Sequence, residues 1–493
     1  MLKKFINILK SNLVLVLSSV AFYTIPFLNF NLYFLHWLFL LPIFYSLKYK
    51  NSCPIRIGLL FGISSSLIGQ YWLTETLMRL ADISILNGFL IHAIYSLYES
   101  SFFILIFFLI KKLIISNKKE YTITYLIIIF VWICIENIFP RVFPYKLGNS
   151  QITFSLINNI ISFFGLNLLS IFVLVINIII FHFYFIIKNS KCLYLIIILL
   201  VSGIYISNDN QIDKYKENKK ISVAIIQPNN MKENLKKLSV LNIKDTDLIV
   251  WPESSIDFIN FDSPSYIKSF QKNFNKKYAF NANKLIFGSI TKKNNNYFNS
   301  GIIIDNKNNF IDVKNKKRLL IYGEYYPFKN IISYIIPIYD NFKDLTSGSN
   351  KAINITDSLK AFIFICYEDL FARDIVKINK DKDIGLIINI TNDIWYGESL
   401  AAYQHLMLSI PRAIESNRFF IRSANNGVSA LISPSGKIIE KIDLNTEGRI
   451  DYKIPILEER SFYHSYYLII EISYYLILII LLMVNKIFYT RKN

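Results

Sequence analysis

The chain is 493 residues long and 53% of it is hydrophobic, with a mean hydropathy of +0.36 that excludes an ordinary soluble protein. A central stretch rich in Lys, Asn and Asp forces the apolar excess into the rest of the chain, so part of it belongs in a membrane. The formal net charge of +19 does not mark a nucleic-acid binder, because the basic residues lie beside apolar runs instead of gathering on one soluble face.

A helix needs about 20 mainly apolar residues to cross the hydrocarbon core. Runs of that kind fall at 11–29, 31–47, 57–77, 86–110, 122–139, 164–187 and 191–207, and an eighth at 465–485. The first follows Lys3, Lys4 and Lys10 in the manner of a secretory signal, but no small-residue cleavage site precedes the next run, so it reads as a membrane helix. Within the fourth run stand His92 and Glu99, seven residues apart on one helical face. An ionisable group at that depth is either functional or a hydrogen-bonded packing contact.

Basic residues in short loops are retained on the cytoplasmic side. One set of alternate loops carries Lys48, Lys50, Arg56, Lys111, Lys112, Lys118, Lys119, Lys188 and Lys191, whereas the other carries only Arg79, Arg141 and Lys146. With the N-terminus inside, seven crossings deliver residues 210–460 to the outer side. The eighth returns Lys486, Arg491 and Lys492 to the cytoplasm. The organisation expected is a seven-helix transmembrane bundle over 1–210, an extracytoplasmic domain over 219–455 and a C-terminal transmembrane helix over 463–487.

From 219 the pattern changes to short β-rich runs between polar segments. Strands are expected at 221–227, 247–253, 284–290, 299–305, 361–369, 384–391, 419–425 and 429–434, with a helix at 403–417, giving a layered α/β domain. Continuous apolar runs among them point to strands covered on both faces. Three segments carry reactive groups. Leu248-Ile249-Val250-Trp251-Pro252-Glu253 ends in a carboxylate behind a ladder-breaking proline. Residues 314–324 lead a basic cluster containing Lys316 into Glu324. Phe362-Ile363-Phe364-Ile365-Cys366-Tyr367-Glu368-Asp369 is apolar up to a thiol and then turns acidic. Of the four cysteines, Cys53, Cys134 and Cys192 lie in or beside apolar segments, which leaves Cys366 without a soluble partner. Taken singly, Glu253 reads as a solvated strand-end acid, Lys316 as a solvated charge and Cys366 as an inert core thiol.

In that order the three residues resemble the Glu-Lys-Cys triad of the carbon-nitrogen hydrolase (nitrilase) superfamily, and the apolar spans around the domain are similar to its membrane-embedded acyltransferase branch. Thr391-Asn392-Asp393-Ile394-Trp395-Tyr396-Gly397, Gln404-His405, Arg412-Ala413, Glu415 and Arg422-Ser423-Ala424-Asn425-Asn426-Gly427 extend the likeness. Departures stand at Gln227-Pro228-Asn229, Arg318 and Ile321, and a tryptophan usual in the family is missing from 230–237. The resemblance implies an αββα sandwich on the periplasmic side of a bacterial inner membrane. It also implies transfer of an acyl chain from a phospholipid donor to the N-terminal amine of a diacylated apolipoprotein, with no cofactor. Neither a His/Cys metal-ligand cluster nor a Gly-rich phosphate loop is present.

The chemistry follows from the residue types. A thiol with a pKa near about 8.5 needs a base or a neighbouring cation at neutral pH, which makes Glu253 the base, Lys316 the cation and Cys366 the nucleophile. Lys316 and the Tyr367 backbone N–H are candidate oxyanion donors. Glu324 orients Lys316 or the incoming amine and Glu368 joins the charge network, or both are structural acids. Trp395 lines the acyl pocket or is a core aromatic. A hydrolase using water as acceptor and an inactive lipoprotein scaffold are the competing readings.

Overall fold

The computed structural model describes residues 12–116, 121–187, 218–241, 246–321, 323–326, 344–371, 374 and 384–490. The chain divides into two compact units: Met1–Thr74 with Ser84–Asp209 and Ser465–Asn493, and Glu75–Ile83 with Asn210–His464.

The first unit is helical: α1 (Asn12–Leu28), a 3-10 segment (Phe30–Trp37) running into α2 (Leu40–Tyr49), α3 (Pro54–Gly69), then α4 (Leu73–Ala81), α5 (Ile85–Ser116), α6 (Tyr121–Ile138), α7 (Ser155–Phe164), α8 (Leu166–Phe181) and, after the second unit, α12 (Phe462–Thr490). Only the first residues of α4 belong to this unit. Four stretches among the described residues are long and apolar enough to cross a membrane: Phe30–Tyr49, Ile85–Ile114, Leu166–Tyr184 and Phe462–Ile487. The apolar helices Asn12–Leu28, Pro54–Gly69 and Thr122–Ile138 are shorter. The expectation of eight spans is therefore met here only as several apolar helices, and the run at 191–207 lies outside the described residues.

The expected run at 57–77 is broken. Gln70 caps α3 with non-helical φ and ψ, and the chain restarts in α4, whose Glu75 and Arg79 form an exposed i,i+4 pair. α3 lies tight against α5: a Cβ on Gly58 or Gly62 would come within 2.6 and 2.3 Å of the Ile104 and Ser100 backbone. Small residues four apart let two helices approach closely where lipid gives no hydrophobic drive between them.

Polar groups face the interior of this unit. Glu99 and Arg141 pair at 3.1 Å with both side chains over nine-tenths buried, and the Tyr95 hydroxyl donates to Glu99 at 2.9 Å. His92 does not join them; its Nδ1 lies 2.9 Å from the Thr74 hydroxyl. Lys146 donates to Asn137 and Asn167 at 2.6 and 2.7 Å. Asn167 in turn donates to Glu471 of α12 at 3.1 Å. Outward, α12 presents Leu468, Ile469, Leu476, Ile480 and Met483, all exposed.

The second unit stacks two sheets. The first contains β1 (Lys220–Gln227), β2 (Leu248–Val250), β3 (Ile256–Asn260), β4 (Lys284–Lys293), β5 (Asn296–Asp305), β6 (Phe310–Asn315) and β13 (Gly448–Pro455), with order β13-β1-β2-β4-β5-β6 and β3 also paired to β4. The second runs β12-β11-β10-β9-β8-β7, from β7 (Ala352–Thr356), β8 (Leu359–Ile365), β9 (Ile384–Thr391), β10 (Phe419–Ala424), β11 (Ser429–Ile432) and β12 (Ile438–Ile442). Successive strand residues point to opposite faces. Val223, Ile225, Leu248 and Val250 therefore meet Ile363, Ile365, Ile388 and Ile390 between the sheets. Each such side chain contributes about 1.5–3 kcal/mol on burial. Ala224, Ile226, Ile249 and Phe287 face outward under α9 (Lys232–Ser239) and α10 (Pro264–Tyr278). On the other side α11 (Ala401–Ser416) reaches the outward residues of β10, as Arg422 shows by meeting His405 at 3.0 Å. The layers are those of a nitrilase-like αββα sandwich.

Of the expected strands, 384–391 is observed with the same bounds. The strand expected over 361–369 stops at Ile365, and that expected over 247–253 keeps only Leu248–Val250. Both lose their chemical ends to turns. β2 is parallel to its sheet neighbours β1 and β4, and β8 is parallel to β9. Ligands of open parallel sheets gather beyond carboxyl ends of this kind.

Candidate active site

Cys366 takes the first position of a 3-10 turn, Cys366–Leu370, as the chain leaves β8. Its φ is +56°, a left-handed value uncommon outside glycine and a form of strain that clusters at functional sites. The surroundings hold that turn firmly. Asn389 donates to the Cys366 carbonyl at 2.9 Å, and the Tyr367 hydroxyl donates to the Leu319 carbonyl at 2.9 Å. Glu368 turns back into the protein: one oxygen accepts the Ile365 N–H at 2.9 Å and pairs with buried Lys314, while the other accepts the N–H groups of Lys317 and Arg318 at 2.7 and 3.1 Å. Glu368 thus ties the cysteine turn to the segment that follows Lys316, and its ion pair is with Lys314.

Glu253 follows β2 across Pro252. The Trp251 N–H still reaches the Ile286 carbonyl at 2.8 Å; Pro252 has no N–H to continue the ladder. Gly288 on β4 passes so close that a Cβ there would sit 2.5 Å from the Glu253 Cα. The Glu253 carboxylate is 5% exposed. Its Oε1 accepts from Asn299 Nδ2 at 2.7 Å and its Oε2 from the Asn392 N–H at 2.9 Å.

Lys316 comes one residue after β6, fixed by its N–H to the Asn299 carbonyl and its own carbonyl to the Gly348 N–H, both at 2.7 Å. Its ammonium donates to Glu324 Oε1 at 2.9 Å and stands 3.7 Å from Glu253 Oε1. It also lies 5.5 Å from the centre of the Tyr367 ring. Glu324 is held in turn by the Leu320 N–H at 2.7 Å and by Asn299 Nδ2 at 2.7 Å. Asn299 therefore bridges the two acids on either side of the lysine.

Burial pushes the Glu253 carboxyl up from the ordinary range, and Lys316 only partly opposes it. Burial alone would lower Lys316, but Glu324, Cys366 and Glu253 together hold it well above an ordinary lysine, so it stays an ammonium. The Cys366 thiol is raised well above its ordinary value, by burial first and then by Glu253, against the pull of Lys316. Burial thus favours the protonated thiol, beside a buried acid whose own proton affinity is raised and a fixed cation. Transfer of the sulfur proton to Glu253 would leave a thiolate facing an ammonium, the pattern of an activated nucleophile.

The structure gathers Glu253, Lys316, Glu324, Tyr367 and Cys366, and places Glu368 against their backbone supports. Trp395 sits on the 3-10 turn Asp393–Tyr396 directly after Asn392; at 40% exposure it is not a core aromatic. Two groups were missed from sequence. Asn299 is one, an amide at the head of the strand expected over 299–305. The Asn392 N–H is the other, a backbone donor that no residue type announces.

Two stacked sheets carrying an acid and a cysteine beyond the ends of parallel strands, with a lysine just after the antiparallel edge strand β6, define the carbon-nitrogen hydrolase class, and the family model described as "Carbon-nitrogen hydrolase" matches residues 222–461. A second model, "Apolipoprotein N-acyltransferase N-terminal domain", matches residues 19–179. The chain belongs to the apolipoprotein N-acyltransferase family. An apolipoprotein N-acyltransferase of Wigglesworthia glossinidia brevipalpis is 27% identical over 421 residues, 78% of this chain and 80% of its own. Those of Rhizobium rhizogenes (strain K84 / ATCC BAA-868) and Rickettsia prowazekii (strain Madrid E) are 32% and 35% identical over 42% and 43% of this chain. The alignments span only 39% and 43% of those two proteins' own length. Among solved structures, that of Saccharomyces cerevisiae Nit3, a member of branch 10 of the nitrilase superfamily, matches 48% of this chain and 90% of its own at 19% identity, with a TM-score of 0.32.

Proposed function

We propose that this protein moves an acyl chain from a membrane phospholipid, through a thioester on Cys366, to the N-terminal amine of the diacylglyceryl-cysteine of an apolipoprotein, completing bacterial lipoprotein maturation. The observation that carries the reading is the buried cluster of Glu253, Lys316 and Glu324 joined through Asn299 beside the left-handed turn at Cys366.

Glu253 takes the thiol proton as the sulfur bonds to the ester carbonyl carbon. The developing oxyanion meets the Lys316 ammonium and the Tyr367 N–H, which the open start of the 3-10 turn leaves without an intrahelical partner. Collapse breaks the ester C–O bond; Glu253 returns the proton to the leaving oxygen, and a lysophospholipid departs. The acceptor's amine nitrogen then attacks the thioester carbon, loses a proton to Glu253, and the C–S bond breaks to give the amide. The thiolate regains its proton from Glu253, and the cycle is ping-pong. Glu324 orients Lys316, and exposed Trp395 offers apolar surface to the chain being moved. In this reading 1–210 and 463–487 form eight spans, and 219–455 is the catalytic domain on the periplasmic face of the inner membrane. The distribution of basic residues in the loops supports that side.

The test supplies the purified protein with phospholipid and a diacylated lipopeptide. The expected product is the peptide plus one acyl chain, and none forms when its N-terminus is acetylated beforehand. Release of free fatty acid with the peptide unchanged would contradict transfer and indicate hydrolysis.

A further inference from the structure

A second buried charge cluster lies behind the first and has no part in the chemistry above. Asp369 belongs to the same 3-10 turn as Cys366; Asp393 follows Asn392, whose N–H holds Glu253. Between them stands His405 of α11, its Nε2 3.0 Å from Asp369 Oδ1 and its Nδ1 3.2 Å from Asp393 Oδ1. Arg422 of β10 spans the same two acids, at 2.8 Å from Asp393 Oδ2 and 3.4 Å from Asp369 Oδ2. Ser409 and Thr391 donate to Asp369 and Asp393 at 2.6 and 3.0 Å. The side chains of His405, Asp369, Asp393 and Arg422 are all wholly buried.

We propose that His405 is a positioning residue: with Arg422 it clamps the turn that begins at Cys366 to the turn whose Asn392 N–H holds Glu253, and so sets thiol and base at their working separation.

A residue needed only for packing would not require its two ring nitrogens to face carboxylates from two different turns. Nδ1 meets the Arg422 guanidinium at 3.0 Å as well as Asp393; the imidazolium, which donates from both nitrogens, is the form that balances two aspartates against Arg422, since an unpaired buried charge is costly. The two acids raise the proton affinity of His405 against burial and against Arg422. Among the groups packed around the ring are Asp369, Asp393, Arg422 and, edge-on, Tyr396 at 6.2 Å between centroids. Around Glu253, where the effect is read, stand Lys316, Glu324, Asn299, Cys366 and the Asn392 N–H.

The inference rests on Glu253 acting as base toward Cys366. It is tested on the full-length protein in detergent by the rate of Cys366 alkylation with iodoacetamide as a function of pH, a reaction that needs no lipid substrate. In the native protein the rate falls on the acid side as Glu253 takes up a proton. In Glu253→Gln this limb is expected to give way to the rise set by the thiol's own ionisation at higher pH; a limb that keeps its native position there would sink the base assignment and leave the clamp a separate matter. In His405→Gln alkylation is expected to slow about 10- to 100-fold, and the limb to move to higher pH as Glu253 loses the Asn392 hydrogen bond that favours its charged form. Asp369→Asn/His405→Gln restores charge balance through Asp393 and Arg422, and keeps the test alive if the single variant fails to fold. It is expected to regain thermal stability while remaining slow and shifted. A folded double variant with the native rate and the native limb would overturn the proposal, because charge balance alone would then be all that His405 provides.

Discussion

The helical unit and the α/β unit both bury ion pairs, yet they use them in opposite ways. In the helices, Glu99 meets Arg141, and Glu471 receives Asn167, which itself receives Lys146. Each contact ties one helix or loop to another, and the exposed residues of α12 are apolar. In the sandwich the core between the sheets is apolar, and the charges gather where strands end. There one ammonium, Lys316, serves two carboxylates, Glu324 at 2.9 Å and Glu253 at 3.7 Å, beside a thiol. Burial pushes Glu253 toward holding a proton, Lys316 only partly opposes it, and Glu324, which shares the same cation, adds to the push. A saturated pair holds structure together; an unsaturated one can move a proton.

The comparison breaks most visibly at Lys316. Lys316→Met removes an oxyanion donor and is expected to lower kcat for acyl transfer about 100- to 1,000-fold. The variant also leaves Glu253 and Glu324 facing each other without a cation, so one of them should hold a proton at neutral pH. A steady-state rate within threefold of native would show that the cation is dispensable. The loss on altering His405 ranks next. Glu471→Gln is expected to do least: the amide oxygen can still accept from Asn167. The cost in thermal unfolding should be near about 0.6 kcal/mol, the mean for polar contacts between membrane helices. Cys366 alkylation should be unchanged. A large fall in that rate would mean that the helical pairs are coupled to the site after all.

Legibility in the sequence followed the same division. Strand 384–391 was readable to its ends because a β-rich apolar run of strand length is bounded by polar residues. β13 was not, because Arg449, Asp451 and Lys453 break its apolar pattern and its pairing with β1 lies more than 200 residues away in sequence. The apolar run at 57–77 hid the break at Gln70, since neither proline nor a charge marks it. α10 carried a readable start, Ser263 capping with Pro264 in the first turn, but its Lys-rich surface masked the Phe274 and Tyr278 stripe. At the site, reactive types at the ends of expected strands pointed to Glu253 and Cys366, and the Glu-Lys-Cys order singled out Lys316 from its basic cluster. What escaped was tertiary: the Asn299 bridge, the Asn392 N–H, and the left-handed φ that ends β8 one residue before the thiol. Glu368 was legible as an acid beside the nucleophile. Its pairing with Lys314 depended on β6 lying near the cysteine turn.

The central claim is that Cys366 carries the acyl chain between donor and acceptor. The most direct measurement is the intact mass of the native protein and of Cys366→Ala after incubation with phospholipid alone. The account predicts a gain of one acyl chain on the native protein, released by hydroxylamine and absent from the variant. An equal gain on Cys366→Ala, or no gain on native protein shown to have taken up the lipid, would contradict it.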